Sequence, residues 1–262
     1  MEYVIIALVA FGAALLTFFS GFGLGTILLP AFALFFPVEI AVAMTAVVHL
    51  VNNLFKMGLI WKAVDLKAAA LFALPAALFA IAGAMLLNRL SADSTWFTYE
   101  LGSKTFAVTP VKFVIGILLV IFAIIEIDKR FDKLALPRKY LPLGGALSGF
   151  FGGLSGHQGA LRSLFLLRAG LGKEGFVATG IAAAIVIDIS RLSVYGASFF
   201  VSHFEMVSNN SSFWLVITAC LAAFGGSVIG RRELKKITMR TVQLTVGLLI
   251  LVMGVLLGMG II

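Results

Sequence analysis

Apolar runs alternate with short polar stretches along the whole chain, and the runs come in two lengths. Residues 38–60, 68–87, 110–125, 175–200, 213–229 and 241–259 are each near the length of a bilayer-crossing helix, which takes roughly 20 apolar residues. The runs 3–19 and 26–36 are separated by SGFGLGT at 20–26, and the runs 140–151 and 160–168 by the glycine-rich break at 152–159 that contains GLSGHQG. Glycine is the poorest helix former after proline, and polar groups in hydrocarbon need partners. Ser155, His157 and Gln158 with Gly156 and Gly159 therefore predict an interrupted helix and not a continuous span. Pro30 and Pro75 fall inside runs, Pro75 predicting a kink, and Pro37 suits the first turn of the helix from Val38. The stretch 88–109 reads as a long loop, its Trp96 and Tyr99 suited to a membrane interface.

The two broken stretches occupy matching places in two halves. Phe18-Phe19-Ser20-Gly21 aligns with Phe150-Phe151-Gly152-Gly153; further on, Glu39 falls on Glu174, Asn53 on Asp188 and Lys56 on Arg191. This order predicts a first transmembrane repeat at 1–127, a linker at 128–139 and a second repeat at 140–262.

Composition narrows the class. Of 262 residues 61% are hydrophobic and 12% charged, about half the charged fraction of a soluble domain, so the chain reads as an all-α polytopic membrane protein. The net charge of +8 then reports topology and does not suggest nucleic acid. Lys and Arg collect in 61–67, 126–139 and 231–240, which places those segments in the cytoplasm; the loop 201–212 has neither and goes outside. On that count 140–168 begins and ends inside. Each of its arms is about a dozen residues, roughly 18 Å, too short for about 30 Å of hydrocarbon, so it is expected to be a re-entrant hairpin. Residues 3–36 become the outside-facing equivalent, both termini lie outside, and the second repeat is inverted relative to the first. The N-terminal run lacks a basic flank and a cleavage site and reads as mature sequence in an inner (cell) membrane. Cys220 is the sole cysteine and reads as a small core residue; neither a metal-ligand spacing nor a nucleotide motif suggests a cofactor or an ATP-driven step.

Broken helices at mid-membrane present backbone N–H groups and a positive dipole end, a seat for an anion that needs no charged side chain. The candidate substrate-binding residues are Gly23, Gly25 and Thr26 in the first break, Ser155, Gly156, His157 and Gln158 in the second, and Asn52, Asn53 and Arg191 in the helices that follow. Asp188 and His157 are the candidates for carrying a coupling ion or proton. Asp188 and Arg191 share a helix face, and the competing reading is a pair that only neutralises itself. The glycines have a competing reading too, as a face for close helix packing. Lys56 is expected to snorkel to the inner interface; Arg162 either does the same or lines an inner vestibule; His49 reads as a core histidine and His203 as a loop residue without a role.

Two sequence blocks carry a resemblance. FFSGFGLGTILLP at 18–30 and SGFFGGLSGHQGALRS at 148–163 open the halves, followed by AVAMTAVVHLVNN at 41–53 and VATGIAAAIVIDISR at 177–191. In this the chain resembles the TauE/SafE family of sulfite and sulfonate exporters and related anion permeases, over essentially its whole length. The segment HQGALR departs from the small residues and proline more usual there. The resemblance implies transport of a small sulfur-containing or other organic anion, not enzymatic activity, with homo-oligomerisation left open. The alternatives are an intramembrane serine protease built on Gly153-Leu154-Ser155-Gly156, and a non-transporting membrane scaffold.

Overall fold

The computed structural model describes residues 1–17, 23–92, 95–128, 130, 136–202, 210–233 and 239–262. Ser20, Gly21 and Phe22 of the first break, His203, and Lys129, Lys133, Lys235 and Lys236 of the basic loops lie outside the described residues, as does the Phe18–Gly21 side of the repeat alignment.

The chain is mostly helical, in the order α1 (Glu2–Thr17), α2 (Leu24–Ala33), α3 (Val38–Ile60), α4 (Leu66–Ser91), α5 (Pro110–Ile127), α6 (Leu141–Ser155), α7 (Gly159–Leu166), α8 (Lys173–Ser202), α9 (Asn210–Glu233) and α10 (Met239–Gly258). Five segments are long and apolar enough to cross a membrane: Val38–Ala63, Leu66–Ser91, Pro110–Ile127, Lys173–Ala197 and Ser212–Arg231. Glu2–Thr17, Leu24–Ala33 and Gln243–Gly258 are shorter apolar helices, so the last run falls just under spanning length on its described residues. Their outward faces carry exposed Leu8, Leu74, Leu78, Leu221 and Leu248, as a lipid-facing surface requires.

One expectation fails. The stretch 88–109 is not a plain loop: β1 (Phe97–Leu101) and β2 (Lys104–Val108) form an antiparallel hairpin, Tyr99 opposite Phe106, turning at Gly102. Alternating β-branched and aromatic residues on both sides of a Gly-Ser turn carry it. The Tyr99 hydroxyl donates to the Met259 carbonyl at 2.7 Å, tying the hairpin to the C-terminus.

The second break is also narrower than 152–159. Helix α6 runs through Gly152 and Gly153 and ends at Gly156, whose φ of 81° is the left-handed region. Three glycines one turn apart explain the continuity. A Cβ on Gly145, Gly149 or Gly153 would collide with the backbone of Phe72, Ala76 or Ala80, all on α4. Bare backbone lets α6 lie flush on α4, so these glycines serve close packing. Gly226 of α9 meets Phe11 of α1 in the same way.

Helix contacts fall into pairs when α1–α5 are exchanged for α6–α10. Packing of α4 on α6 matches α9 on α1; α4 on α8 matches α9 on α3; α2 on α3 matches α7 on α8; α2 on α10 matches α7 on α5. The contacts α3–α8 and α5–α10 map onto themselves.

Loops gather at two ends. At one, the Arg138 guanidinium forks both Asp65 oxygens at 3.0 and 3.1 Å and donates to the Ala169 carbonyl. The Leu136 amide donates to the Leu164 carbonyl, so the feet of the α6–α7 pair stand side by side. Asp65 also caps α4, accepting from the Ala68 amide at 2.8 Å, and its own amide donates to Thr179. That cap, then the Arg138 pair, hold its carboxyl below the usual carboxylate range. Where α10 begins, Arg240 donates to the Ile127 carbonyl at 2.7 Å. At the other end Pro37, Glu39, Ser91, Thr109 and Lys112 line a shallow pocket.

Candidate functional site

The two breaks meet. Gly23 takes φ 105° and precedes α2 without a side-chain cap; Gln158 precedes α7, also without one. The helical ladders start with Ile27 donating to Gly23 and Arg162 donating to Gln158. The amides of residues 24–26 and 159–161 therefore precede their ladders, the ordinary condition of a helix N-terminus. The Cβ position of Gly25 is 3.9 Å from the Gly156 carbonyl oxygen, and 3.6 Å from both the Thr45 methyl and the His49 ring. A side chain at residue 25 would fill the space where α2, α3 and the second break converge.

Asp188 sits about halfway along α8 and organises the polar groups around this point. One oxygen receives Arg191 Nε at 3.1 Å, Arg191 Nη2 at 2.7 Å and the Gln158 amide at 3.2 Å. The other is 2.6 Å from Nδ1 of His49 on α3. His49 continues to Asn53, one turn along, whose amide nitrogen is 3.1 Å from Nδ1 and 3.4 Å from Nε2. Gln158 Oε1 accepts from Arg162 at 3.3 Å. Asp188, Arg191 and Asn52 are 0% exposed, and Gln158 and Arg162 2%, so the cluster is sealed from both ends.

Arg191 spends its donors on this frame. Its remaining Nη1 donates to the Gly152 carbonyl at 3.2 Å, and the Tyr195 hydroxyl donates to the Gly153 carbonyl. Helix α8 thus grips the end of α6 one turn before the break. Ser148 adds a donation to the Gln158 carbonyl at 2.8 Å.

Among the described residues six buried side-chain polar atoms have no hydrogen-bond partner, and three of them, Thr45 Oγ1, Asn52 Nδ2 and His157 Nε2, belong to α3 and the second break. Asn52 accepts from Ser227 through its other atom at 2.9 Å. His157 Nδ1 donates to the Ser155 carbonyl at 2.9 Å, and its ring stacks on Phe122 of α5. Buried polar atoms left unpaired in this way are costly unless something occupies them.

The remaining sequence candidates are placed as follows. Thr26 is half-buried in the first turn of α2. The Ser155 hydroxyl donates back to Phe151 at 3.0 Å, and His157 bonds its carbonyl and not its hydroxyl, an arrangement without nucleophile activation. Lys56 and Arg162 are 4% and 2% exposed, so neither reaches solvent as a snorkelling cation does. No group of three or more His, Cys, Asp or Glu suited to a metal occurs among the described residues. His49, taken from the sequence as a core residue, is the bridge from α3 to Asp188. Its signal was present: His49, Asn52, Asn53 and Lys56 follow i, i+3, i+4, i+7 on one face of α3.

A family model described as Sulfite exporter TauE/SafE matches residues 6–257. No curated protein and no solved structure matches the chain.

Proposed function

The chain belongs to the sulfite exporter TauE/SafE family, and from that premise we propose a secondary transporter in which the two glycine-rich breaks hold the substrate anion at mid-membrane. The substrate class is a small sulfur-containing or organic anion, moved by alternating access. One observation carries the reading: two uncapped helix N-termini converge at the break that holds the unpartnered ring nitrogen of His157, and α3, which the first of them meets at Thr45 and His49, carries the unpartnered donor of Asn52. Amide donors and helix dipoles favour negative charge there.

The repeats at 1–127 and 140–262, joined by 128–139, form two inverted halves in this proposal. Contacts that pair under exchange of the halves support it, and so do the adjacent feet of α6 and α7. Gly23, Gly25, Thr26, Gly156, Gln158, Asn52 and His157 line the anion seat. Ser155 contributes backbone, and Asn53 and Arg191 position the groups that touch substrate. Asp188 holds the charge balance, and His157 presents a donor at Nε2 only when protonated, since Nδ1 is already committed. The inner-membrane placement with both termini outside follows from the loop charges.

The test is a thermal-shift screen of the purified protein against sulfite, sulfate, taurine, sulfoacetate, thiosulfate and carboxylates, followed by flux in liposomes. Stabilisation and flux are expected for at least one sulfur oxyanion or sulfonate. Stabilisation by none, with flux of none, sinks the proposal.

A further inference from the structure

We propose that His157 selects the substrate by accepting a hydrogen bond from it, so that the preferred anion is a sulfonate that carries its own hydroxyl group. The inference rests on the anion-transport reading above and names the substrate class of that same site.

Geometry fixes the role of each ring nitrogen. Nδ1 lies 2.9 Å from the Ser155 carbonyl oxygen, which can only accept, so Nδ1 carries a proton. In the neutral ring Nε2 is then a bare lone pair, and it has no partner among the described residues. The side chain belongs to a residue 4% exposed, with one face of its ring stacked on Phe122. No carboxylate pairs with the ring among the described residues, and Arg191 Nη1 stands 3.1 Å from the Cβ position of the adjacent Gly156. An imidazole at about pH 7 is mostly neutral, and burial beside a guanidinium keeps it so.

His157 stands where the two breaks meet. The Gly156 carbonyl, 3.9 Å from the Cβ position of Gly25, is half of the peptide that joins Gly156 to His157. The Thr45 methyl is 3.6 Å from the same position, and the Thr45 hydroxyl on that carbon's neighbour is unpaired. Thr45 departs from the habit of this chain: Thr17, Ser155, Ser163, Ser190 and Thr218 each return their hydroxyl to the carbonyl four residues back.

The unpaired groups of the seat do not all ask for the same partner. The first amides of α2 and α7 donate, Asn52 Nδ2 donates, and the Thr45 hydroxyl does either. Nε2 of neutral His157 only accepts. An anion made of acceptors alone satisfies the first three and leaves Nε2 empty or facing another lone pair, a loss of about 10–100-fold in affinity. A hydroxyl on the substrate fills Nε2 while the sulfonate stays with the amides. An ammonium group is a donor too, but it brings a cation beside Arg191 and beside Arg162, whose Nη1 is 3.3 Å from Gln158 Oε1. Asp188, the carboxylate of this cluster, already receives Arg191, Gln158 and His49. A neutral O–H fits; a charged N–H does not.

The experiment uses the full chain in liposomes and two sulfonates of matching shape. Isethionate ends its chain in a hydroxyl where propanesulfonate ends in a methyl. Isethionate is expected to exceed propanesulfonate by about 10–100-fold in kcat/KM for flux, and to exceed taurine. His157→Phe keeps a ring against Phe122 and removes the lone pair; there the preference over propanesulfonate is expected to shrink to about threefold or less. Where His157→Phe does not fold or transport, melting of the wild-type protein decides: isethionate raises the melting temperature and the same concentration of propanesulfonate raises it less. Equal flux of the two sulfonates in wild-type protein, equal melting shifts, a preference retained in His157→Phe, or taurine ahead of isethionate overturns the inference and leaves the transport reading standing. So does external acid that brings propanesulfonate up to the isethionate rate, since Nε2 is then a donor from an imidazolium. Absence of flux of isethionate, propanesulfonate, taurine, sulfite and sulfoacetate in wild-type protein strikes the transport reading itself.

Discussion

Replacing Gly149 by alanine tests whether the α6–α4 contact holds the second break in place. A Cβ on Gly149 lands 2.7 Å from Ala76 Cα and 2.8 Å from its carbonyl carbon. The Ala76 carbonyl oxygen is nearer still, 2.2 Å from that position, and a carbon–oxygen contact rests at about 3.2 Å, so the helices must separate by roughly 1 Å along the glycine stripe. Overpacking of this kind costs about 1–3 kcal/mol. Alanine also gains about 1 kcal/mol of helix propensity over glycine, which masks part of the loss. Gly12→Ala supplies the control, because nothing lies within 4 Å of its Cβ position. Both variants gain the propensity term and only one meets backbone. Their melting temperatures in detergent should differ by about 2–12 °C, taking roughly 2–4 °C per kcal/mol for a chain of this size. Sulfoacetate flux should fall in Gly149→Ala and hold in Gly12→Ala, since the stripe ends at Gly153, one turn from the break. Gly149→Ala melting with or above Gly12→Ala would refute the backbone-contact argument.

Further substitutions probe the other contacts. Asp188→Asn keeps shape but strands buried Arg191 and should lose about 3–5 kcal/mol, whereas Asp188→Leu with Arg191→Met should recover most of the melting temperature while abolishing transport; equal melting of the two contradicts the pairing. Tyr195→Phe leaves the Gly153 carbonyl without its hydroxyl donor and should cost about 1–3 kcal/mol in the same melt. Asp65→Asn retains the α4 cap but loses the Arg138 pair, a partly exposed contact of about 0.2–1 kcal/mol. Because the folded carboxyl is held below its ordinary value, that contribution is complete above the unfolded value near pH 4 and disappears as pH falls through the lower folded one. The gap between wild type and Asp65→Asn should therefore close on acidification, and a gap that persists at pH 2 contradicts it. Ser155→Ala should keep most of the anion flux, since its hydroxyl only returns to Phe151; complete loss would revive a nucleophile at that position.

The periodic features were legible in the chain. Apolar runs located the helices to within a few residues, and Gly156 with Gln158 marked the second break. What the sequence could not give was the partner of each polar face. His49 looked like a core histidine because its carboxylate lies 139 positions away on α8. The stripe Gly145, Gly149, Gly153 was visible as spacing, but its meaning depends on α4 presenting backbone at Phe72, Ala76 and Ala80. Gly152 and Gly153 widen the break to 152–159 on sequence alone; close packing of Gly153 on α4 accounts for part of the cluster and the left-handed Gly156 marks the actual break. The β-hairpin reads as loop in the sequence because strands of five residues carry little periodic signal beyond the alternation of Tyr99 and Phe106 about Gly102.

The contacts that build the cluster cross from one half to the other: His49 to Asp188, Asn52 to Ser227, Gly25 to the Gly156 carbonyl. Either half alone would bury these groups without partners. Each break is also held by the other half, α6 against α4 and α1 against α9, through glycines that admit backbone at contact distance. Close-packed backbone of this kind does not slide cheaply. Any motion that opens the seat without tearing those contacts must carry α4 with α6, and α9 with α1, as units. The change is then absorbed at α3–α8 and α5–α10, the two contacts that exchange of the halves leaves in place. His49 and Asp188 stand at the first of them. Their contact, at 2.6 Å, lies at a crossing that any such motion has to rearrange.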